Sequence, residues 1–190
     1  MAVKTFTTGE VLTASDTNTY LNNGGLVYIT STTATSGTSI SVNSCYTSTY
    51  TNYRVIAQGN VGTGGEITMR LRTGITDDSA ATYKWGRTYF RIDNGASGVG
   101  GSVAASEATI GLAVASTQFF TVFDVFNPQV ATQTMWSTQP YVEPNTATSN
   151  SYLGFAAGQK NTTSQYDGIS LFFPGTISSV TITIMGYRKA

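Results

Sequence analysis

Strict alternation of apolar and polar residues is the feature that most constrains how this chain can fold. The segment Ile67–Arg72 places three apolar side chains on one face and three polar side chains on the other, and Val180–Ile184 alternates in the same way. A period of two residues is typical of a β-strand with one buried and one solvated face. The two segments therefore predict antiparallel strands that cover a hydrophobic core.

Eight further segments combine β-branched or aromatic residues with turn signals at their ends. They are Val27–Thr30, Ile40–Val42, Tyr53–Gln58, Tyr83–Ile92, Phe119–Phe126, Met135–Tyr141, Tyr152–Ala157 and Ile169–Phe173. The glycine-rich stretches 59–65 and 95–101 are predicted to be flexible hairpin loops. About ten short strands without regularly alternating helices predict an all-β fold, an antiparallel β-sandwich of the jelly-roll kind.

Charge is scarce in this chain. Charged residues make up 11% of the sequence, and ten basic residues balance ten acidic ones, whereas an ordinary globular protein has about 25% charged residues. Nucleic-acid binding needs a cationic face, and a membrane span needs about 18 consecutive apolar residues. We therefore expect neither nucleic-acid binding nor membrane insertion.

The residue types that most enzymes use are also scarce. The sequence has no histidine, and Cys45 is its single cysteine, which rules out the usual nucleophile–base triads and the familiar zinc sites. Cys45 is expected in the core. Asp77 and Asp78 lack the alternating acids of a calcium loop and are expected in a solvated turn. We predict a protein that is not an enzyme and holds no cofactor or metal. A carboxylate pair for glycoside hydrolysis is the one catalytic alternative left open.

Aromatic residues are the most informative candidates for binding. Trp136, Tyr141, Tyr152 and Tyr166 lie in or near the turn-rich second half. Aromatic faces exposed beside Asn, Ser and Asp commonly hold sugars, so these four are candidates for glycan contact, with burial in the core as the alternative.

The run Phe119–Phe126 is almost continuously apolar. It predicts a strand that is buried on both faces, or one with the core on one face and a neighbouring subunit on the other. The second interpretation makes four phenylalanines candidates for a subunit interface: Phe119, Phe120, Phe123 and Phe126.

Residues 1–25 differ from the remainder and are predicted to form a docking segment, followed by the sandwich domain over residues 26–190. Thr13 or Ser15 is a candidate N-cap and Gly24 a candidate C-cap, which predicts a short helix over residues 14–22. Such a helix is too short to be stable alone, so it must dock on this domain or on a partner. The start of the chain lacks the order of a signal peptide, and we expect no secretion by a standard route.

The segment from Phe6 to Leu21 reads FTTGEVLTASDTNTYL. It resembles the N-terminal signature of many tailed-bacteriophage structural proteins, in which an aromatic residue and a Gly-Glu-Val-Leu-Thr-Ala core precede an Asn and a short helix. Further phrases that resemble the β-sandwich domains of these proteins are Tyr53–Ile56, Arg70–Arg72, Phe126–Pro128, Tyr166–Ile169 and Gly186–Arg188. The family includes tail-fibre, baseplate and capsid-decoration proteins.

This resemblance implies a non-enzymatic structural protein of the virion, assembled in the host cytoplasm and commonly trimeric. Its partners would be other virion proteins, with a host surface glycan as a further candidate. The docking segment would attach the protein through five apolar side chains: Phe6, Val11, Leu12, Tyr20 and Leu21. We expect a tail-fibre or receptor-binding component. The alternatives are a capsid decoration or head-fibre protein, a carbohydrate-binding module and, against the short length, a polysaccharide depolymerase.

Overall fold

The computed structural model describes residues 7–11, 13, 25–91, 94–139, 141–142 (backbone only) and 152–188. Within these ranges the protein contains fourteen β-strands and no helix. The predicted helix over residues 14–22 lies outside them. The strands are β1 (Leu26–Ala34), β2 (Ser39–Val42), β3 (Asn52–Val61), β4 (Gly65–Thr73), β5 (Thr76–Asp77), β6 (Tyr83–Arg91), β7 (Ser97–Ala105), β8 (Ala108–Ala113), β9 (Gln118–Phe126), β10 (Thr134–Thr138), β11 (Tyr141–Val142), β12 (Tyr152–Lys160), β13 (Gly168–Phe172) and β14 (Ile177–Tyr187).

The strands form two antiparallel sheets that pack face to face. The larger sheet has the order β1-β14-β3-β9-β10-β12-β6-β7, with β11 also paired to β12, and the smaller has the order β2-β13-β4-β5, with β8 also paired to β4. Apolar side chains that alternate along the strands fill the space between the sheets, among them Val180, Ile182 and Ile184 of β14. The predicted antiparallel β-sandwich is confirmed.

Eight of the strands form a jelly roll. The larger sheet contains β1-β14-β3-β9 and the smaller contains β2-β13-β4-β8. The first strand therefore pairs with the last, and the second pairs with the last but one. This is the strand order of two sheets made by folding one long antiparallel ribbon over on itself.

The remaining strands are two insertions into this jelly roll. Strands β5–β7 lie between β4 and β8, and strands β10–β12 lie between β9 and β13. Five of these strands widen the larger sheet beyond β9, and we call them the sheet extension: β6, β7, β10, β11 and β12. Strands β6 and β12 of the extension also contact β8 of the smaller sheet. The extension therefore continues the larger sheet beyond β9 and packs against β8 at the edge of the smaller sheet.

The glycine-rich stretch 95–101 differs from its prediction. It was expected to be a loop, but residues from Ser97 onward belong to β7, which pairs with β6. A Cβ atom added to Gly98 would lie 2.4 Å from the Tyr89 ring, and one added to Gly100 would lie 3.1 Å from Nε of Arg87. The glycines therefore make room for large side chains of the neighbouring strand.

Cys45 is buried in the core, as predicted. Its Sγ atom lies 3.5 Å from the carbonyl oxygen of Val42. Burial raises the pKa of the thiol to about 12, because a thiolate without water or a cation nearby is disfavoured. Cys45 therefore packs as a small apolar residue.

Asp77 and Asp78 do not form the solvated turn that was expected, because each pairs with a buried cation. Asp77 Oδ1 lies 2.6 Å from Nη1 of Arg72. Asp78 Oδ1 lies 2.9 Å from Nζ of Lys160, whose side chain is 0% exposed. The two neighbouring carboxylates thus face different partners.

Lys160 is the centre of a buried polar group that we call the Lys160 cluster: Lys160, Asp78, Tyr83 and Tyr166. The Lys160 ammonium also donates to the carbonyl oxygen of Ala80 at 3.0 Å and lies 3.8 Å from the centre of the Tyr83 ring. The Tyr166 hydroxyl donates to Asp78 Oδ2 at 2.7 Å. The cluster joins β12 and β6 of the extension to the segments that follow β5 and precede β13.

Protonation in the Lys160 cluster follows from burial and hydrogen bonding. Burial alone would raise the pKa of Asp78, but hydrogen bonds from Tyr166, Lys160 and the Ala80 N–H outweigh it, and the pKa lies below its usual value. Burial lowers the pKa of Lys160, while Asp78 opposes that effect. The lowered pKa of Asp78 stabilises the fold at neutral pH, and this contribution is lost as the pH falls through that pKa.

Replacing Asp78 by Asn should leave Lys160 without an anionic partner. We expect the free energy of unfolding at neutral pH to fall by about 3 kcal/mol, the lower end of the range for breaking a buried pair, because Asp78 keeps some exposure. The matched control is Glu107→Gln, which breaks the partly exposed Arg70–Glu107 pair and should cost less than about 1 kcal/mol. Urea unfolding measures both.

The same experiment at low pH tests the cause. The deficit of Asp78→Asn should be complete above about pH 4, the ordinary pKa of Asp, and should shrink as the pH falls below it. A deficit that is constant from pH 7 to pH 2, or that equals the loss in Glu107→Gln, would contradict the role of the buried pair.

Candidate functional site

A cleft separates the sheet extension from β8 of the smaller sheet. Its volume is about 390 Å³, within the range of roughly 300–1,000 Å³ for small-molecule sites. One wall carries large side chains of β6 and β12, and the other is formed by the end of β8 and the connection between β3 and β4. The lining residues are Gly64, Gly65, Arg87, Tyr89, Leu112, Ala113, Val114, Ala115 and Tyr152.

Strand pairing places the large side chains at the cleft. Because β6 alternates, Arg87 and Tyr89 share the face that looks toward the smaller sheet. Tyr89 pairs with Gly98 of β7 on one side and with Gly154 of β12 on the other. The ring of Tyr89 can therefore lie across Gly98, which holds it beside the cleft.

The two tyrosines meet edge to face. The ring centres of Tyr89 and Tyr152 are 5.4 Å apart and their planes are inclined at 78°. Each ring also has an arginine above it, Arg87 at 5.8 Å from the centre of Tyr89 and Arg91 at 5.7 Å from that of Tyr152. Such stacking restricts the motion of both rings and presents them in a defined orientation.

The charge of Arg87 is balanced close to the cleft. Its Nη2 atom lies 2.6 Å from Oε1 of Glu66, and the Thr109 hydroxyl donates to the other oxygen of that carboxylate at 2.7 Å. Glu66 is thereby engaged at both oxygens. The cleft thus offers aromatic rings, hydroxyl groups, one paired guanidinium and backbone groups, which are the means to bind and orient a polar molecule.

The predicted glycan contacts divide into three cases. Trp136 and Tyr166 are only 2% and 1% exposed. Trp136 packs against Tyr83. Tyr166 belongs to the Lys160 cluster. The prediction that these two residues contact a glycan is therefore wrong, and the alternative of burial in the core holds for both. Tyr141 lies on β11, and its side chain is outside the described residues. Tyr152 lines the cleft, and its role in glycan contact stays a prediction.

The predicted subunit interface is also reduced. Strand β9 directs the side chains of Phe119 and Phe123 into the core, where both are buried, so neither ring presents an exposed surface to a neighbouring subunit. Phe126 is partly exposed and Phe120 is 45% exposed on the opposite face of the sheet. The apolar run 119–126 thus contributes phenylalanines to the core on one face of β9 and exposed or partly exposed phenylalanines on the other face.

Among the predicted attachment residues, the described part of the chain includes only Val11. It is 79% exposed and follows a turn in which the Glu10 N–H donates to the carbonyl oxygen of Thr7 at 3.0 Å. Phe6, Leu12, Tyr20 and Leu21 lie outside the described residues, so attachment through this segment stays a prediction.

Sequence reasoning missed Arg87 and Tyr89. The signal was present, because Trp85, Arg87 and Tyr89 alternate with Lys84, Gly86 and Thr88 along β6. The glycines of β7 on which Arg87 and Tyr89 pack could not be recognised as part of a strand, because glycine-rich sequence is more typical of loops.

Among the residues that the structure describes, no group of three or more Cys, Asp or Glu side chains could hold a metal ion, and no helix is long and apolar enough to cross a membrane. Comparisons with protein families, curated proteins and solved structures find no match for the chain.

Replacing Gly98 by Ala should displace Tyr89, because the new methyl group would lie 2.4 Å from the ring. The matched control is Gly86→Ala on the paired strand, where the nearest atom to the new Cβ is 4.0 Å away. We expect the Tyr89 ring signals in NMR to shift in Gly98→Ala and to stay unchanged in Gly86→Ala. Identical spectra for the two variants would contradict the seating of Tyr89 on β7.

Proposed function

We propose that this protein is a non-enzymatic structural protein of a tailed-phage virion, a tail-fibre or receptor-binding component that holds a host surface glycan. The resemblance of residues 6–21 to the N-terminal signature of virion proteins supports the location. The single observation that carries the binding role is the cleft in which Tyr89, Tyr152 and Arg87 meet. The jelly roll provides a rigid support for that cleft.

The chemistry of the cleft suits a saccharide. Sugar rings have apolar C–H faces that pack on aromatic rings, and hydroxyl groups at their edges that need hydrogen-bond partners. Tyr89 and Tyr152 supply the aromatic surface, and the Arg87 guanidinium and tyrosine hydroxyls supply polar groups. Since Arg87 is already paired with Glu66, a bound molecule need not carry a charge.

Assembly with other copies is part of this proposal. Formal neutrality removes the repulsion that keeps copies of a protein apart. The outer face of the sheet extension exposes Phe90, Met135 and Phe155 at 44–48%, and these side chains are accessible to a second subunit of the expected homotrimer. The docking segment would then join the assembly to other virion proteins.

A capsid decoration protein is the second candidate, favoured by the same exposed outer face. A decoration protein uses such a face to cover neighbouring capsid subunits and needs no ligand. Many copies over the shell, together with no adsorption of the purified protein to host cells, would favour this role. A carbohydrate-binding module, the third alternative, would bind a saccharide in the same cleft but would not be incorporated into virus particles.

Replacing Tyr152 by Ala tests the cleft. Loss of a buried aromatic contact at a binding site commonly costs tenfold or more in affinity, so we expect binding of the purified protein to host cells to weaken by at least about tenfold. The matched control is Tyr28→Ala, because Tyr28 is 61% exposed on β1, at the other edge of the sheet. Equal binding by both variants would contradict the proposal.

Deletion of residues 1–24 tests the attachment role. The jelly roll starts at Leu26, so the truncated protein should keep its β circular dichroism spectrum and its cooperative unfolding. We expect it to be missing from particles assembled in the presence of the truncated chain. Normal incorporation of the truncated protein would show that attachment lies elsewhere.

A further inference from the structure

A second depression lies on the outer face of the larger sheet, away from the cleft. Its volume is about 600 Å³, and it spans β9, β3 and β14 near one end of these strands. The residues that line it are Gln58, Gly59, Asn60, Gln118, Phe119, Phe120, Ser179 and Thr181. None of these carries a charge.

An irregularity in the backbone shapes this depression. The pairing of β14 with β3 shifts register between Ile177 and Ser179, which is a β-bulge. Opposite the bulge, Gly59 has a φ of +152°, and a Cβ there would lie 2.1 Å from the carbonyl oxygen of Ser179. A glycine is therefore required at this point, and bulges of this kind often redirect side chains beside a site.

Strand register then arranges the polar groups in two rows. Thr181, Gln58 and Phe120 face one another across three strands, and the next row contains Ser179, Asn60 and Gln118. Each primary amide offers two donors and one acceptor. Within the described part of the chain, the amide groups of Gln58, Asn60 and Gln118 have no hydrogen-bond partner.

We propose that this depression binds a neutral saccharide. The Phe120 ring, which is 45% exposed, provides a surface for the C–H face of a sugar, and the amides and hydroxyls around it match sugar hydroxyl groups. The absence of charge among the lining residues gives no advantage to an acidic ligand. This site is separate from the cleft and does not need the cleft to bind. On one particle, the two sites together would strengthen attachment through avidity.

The test uses NMR of the ¹⁵N-labelled full chain, in which Asn and Gln side-chain amides give their own signals. Maltotriose, cellotriose and mannotriose serve as neutral probes, and trigalacturonate serves as the acidic comparison. At least one neutral trisaccharide should shift the side-chain signals of Gln58, Asn60 and Gln118. Trigalacturonate should shift them less.

Two variants assign the contact. Phe120→Ala should raise the dissociation constant of that trisaccharide at least about tenfold, since it removes a large buried apolar contact. Tyr28→Ala, which removes another exposed aromatic side chain from β1 at the edge of the same sheet, should leave it unchanged. Tyr152→Ala should abolish only the shifts around the cleft, so failure of one site does not decide the other.

Three results would overturn the saccharide site. One is the lack of side-chain amide shifts with all three neutral probes. Another is equal binding by Phe120→Ala and the unaltered protein. The third is a change from oligomer to monomer in Phe120→Ala during sedimentation, which would assign this face to a contact between copies of the chain.

Discussion

The buried ammonium of Lys160 is the constraint on which the arrangement of the molecule depends. An unpaired charge inside a protein is very costly, and Lys160 escapes that cost only when Asp78, Ala80, Tyr83 and Tyr166 surround it. Asp78, Ala80 and Tyr83 belong to the first insertion, Lys160 ends β12 of the second, and Tyr166 lies in the segment that leads back into the jelly roll. The Lys160 cluster thus ties the sheet extension to the jelly roll at one end of β6 and β12, and the cleft lies toward the other end of these strands.

The fold was largely predictable because alternation is a local property. Strands β4 and β14 follow directly from their sequences, since each apolar residue at every second position has only one side on which it can be buried. The sequence of β9 predicts a strand, but it does not predict which face of that strand packs on the core. Phenylalanine occurs on both faces of β9, with Phe119 and Phe123 in the core and Phe120 on the outer face. The sequence of β9 therefore has no apolar–polar alternation that would distinguish the buried face from the exposed one.

The candidate site was much less predictable, because its parts come from distant segments. The sequence indicates Tyr152 as a candidate but not Arg87 or Tyr89, because the glycine-rich sequence of β7, which pairs with both, is typical of a loop. Trp136 and Tyr166 were misplaced for a related reason. Whether an aromatic ring is buried depends on which strand covers it, and pairing between the two insertions spans many residues of chain. Asp77 and Asp78 also look like an ordinary turn until their cations are brought close by the fold.

The pairing of β1 with β14 places both ends of the sandwich domain at the same edge of the larger sheet. The backbone N–H of Arg188 donates to the carbonyl oxygen of Gly25 at 3.0 Å, so the chain enters and leaves the described fold side by side at one margin of the larger sheet. Strand β7 forms the opposite margin, seven strand spacings away, or about 34 Å along the sheet at roughly 4.8 Å per spacing. The sheet therefore acts as a built-in spacer. A chain tethered at its β1 margin would carry the Tyr89–Tyr152 rings well clear of whatever holds it, with no need for a stalk.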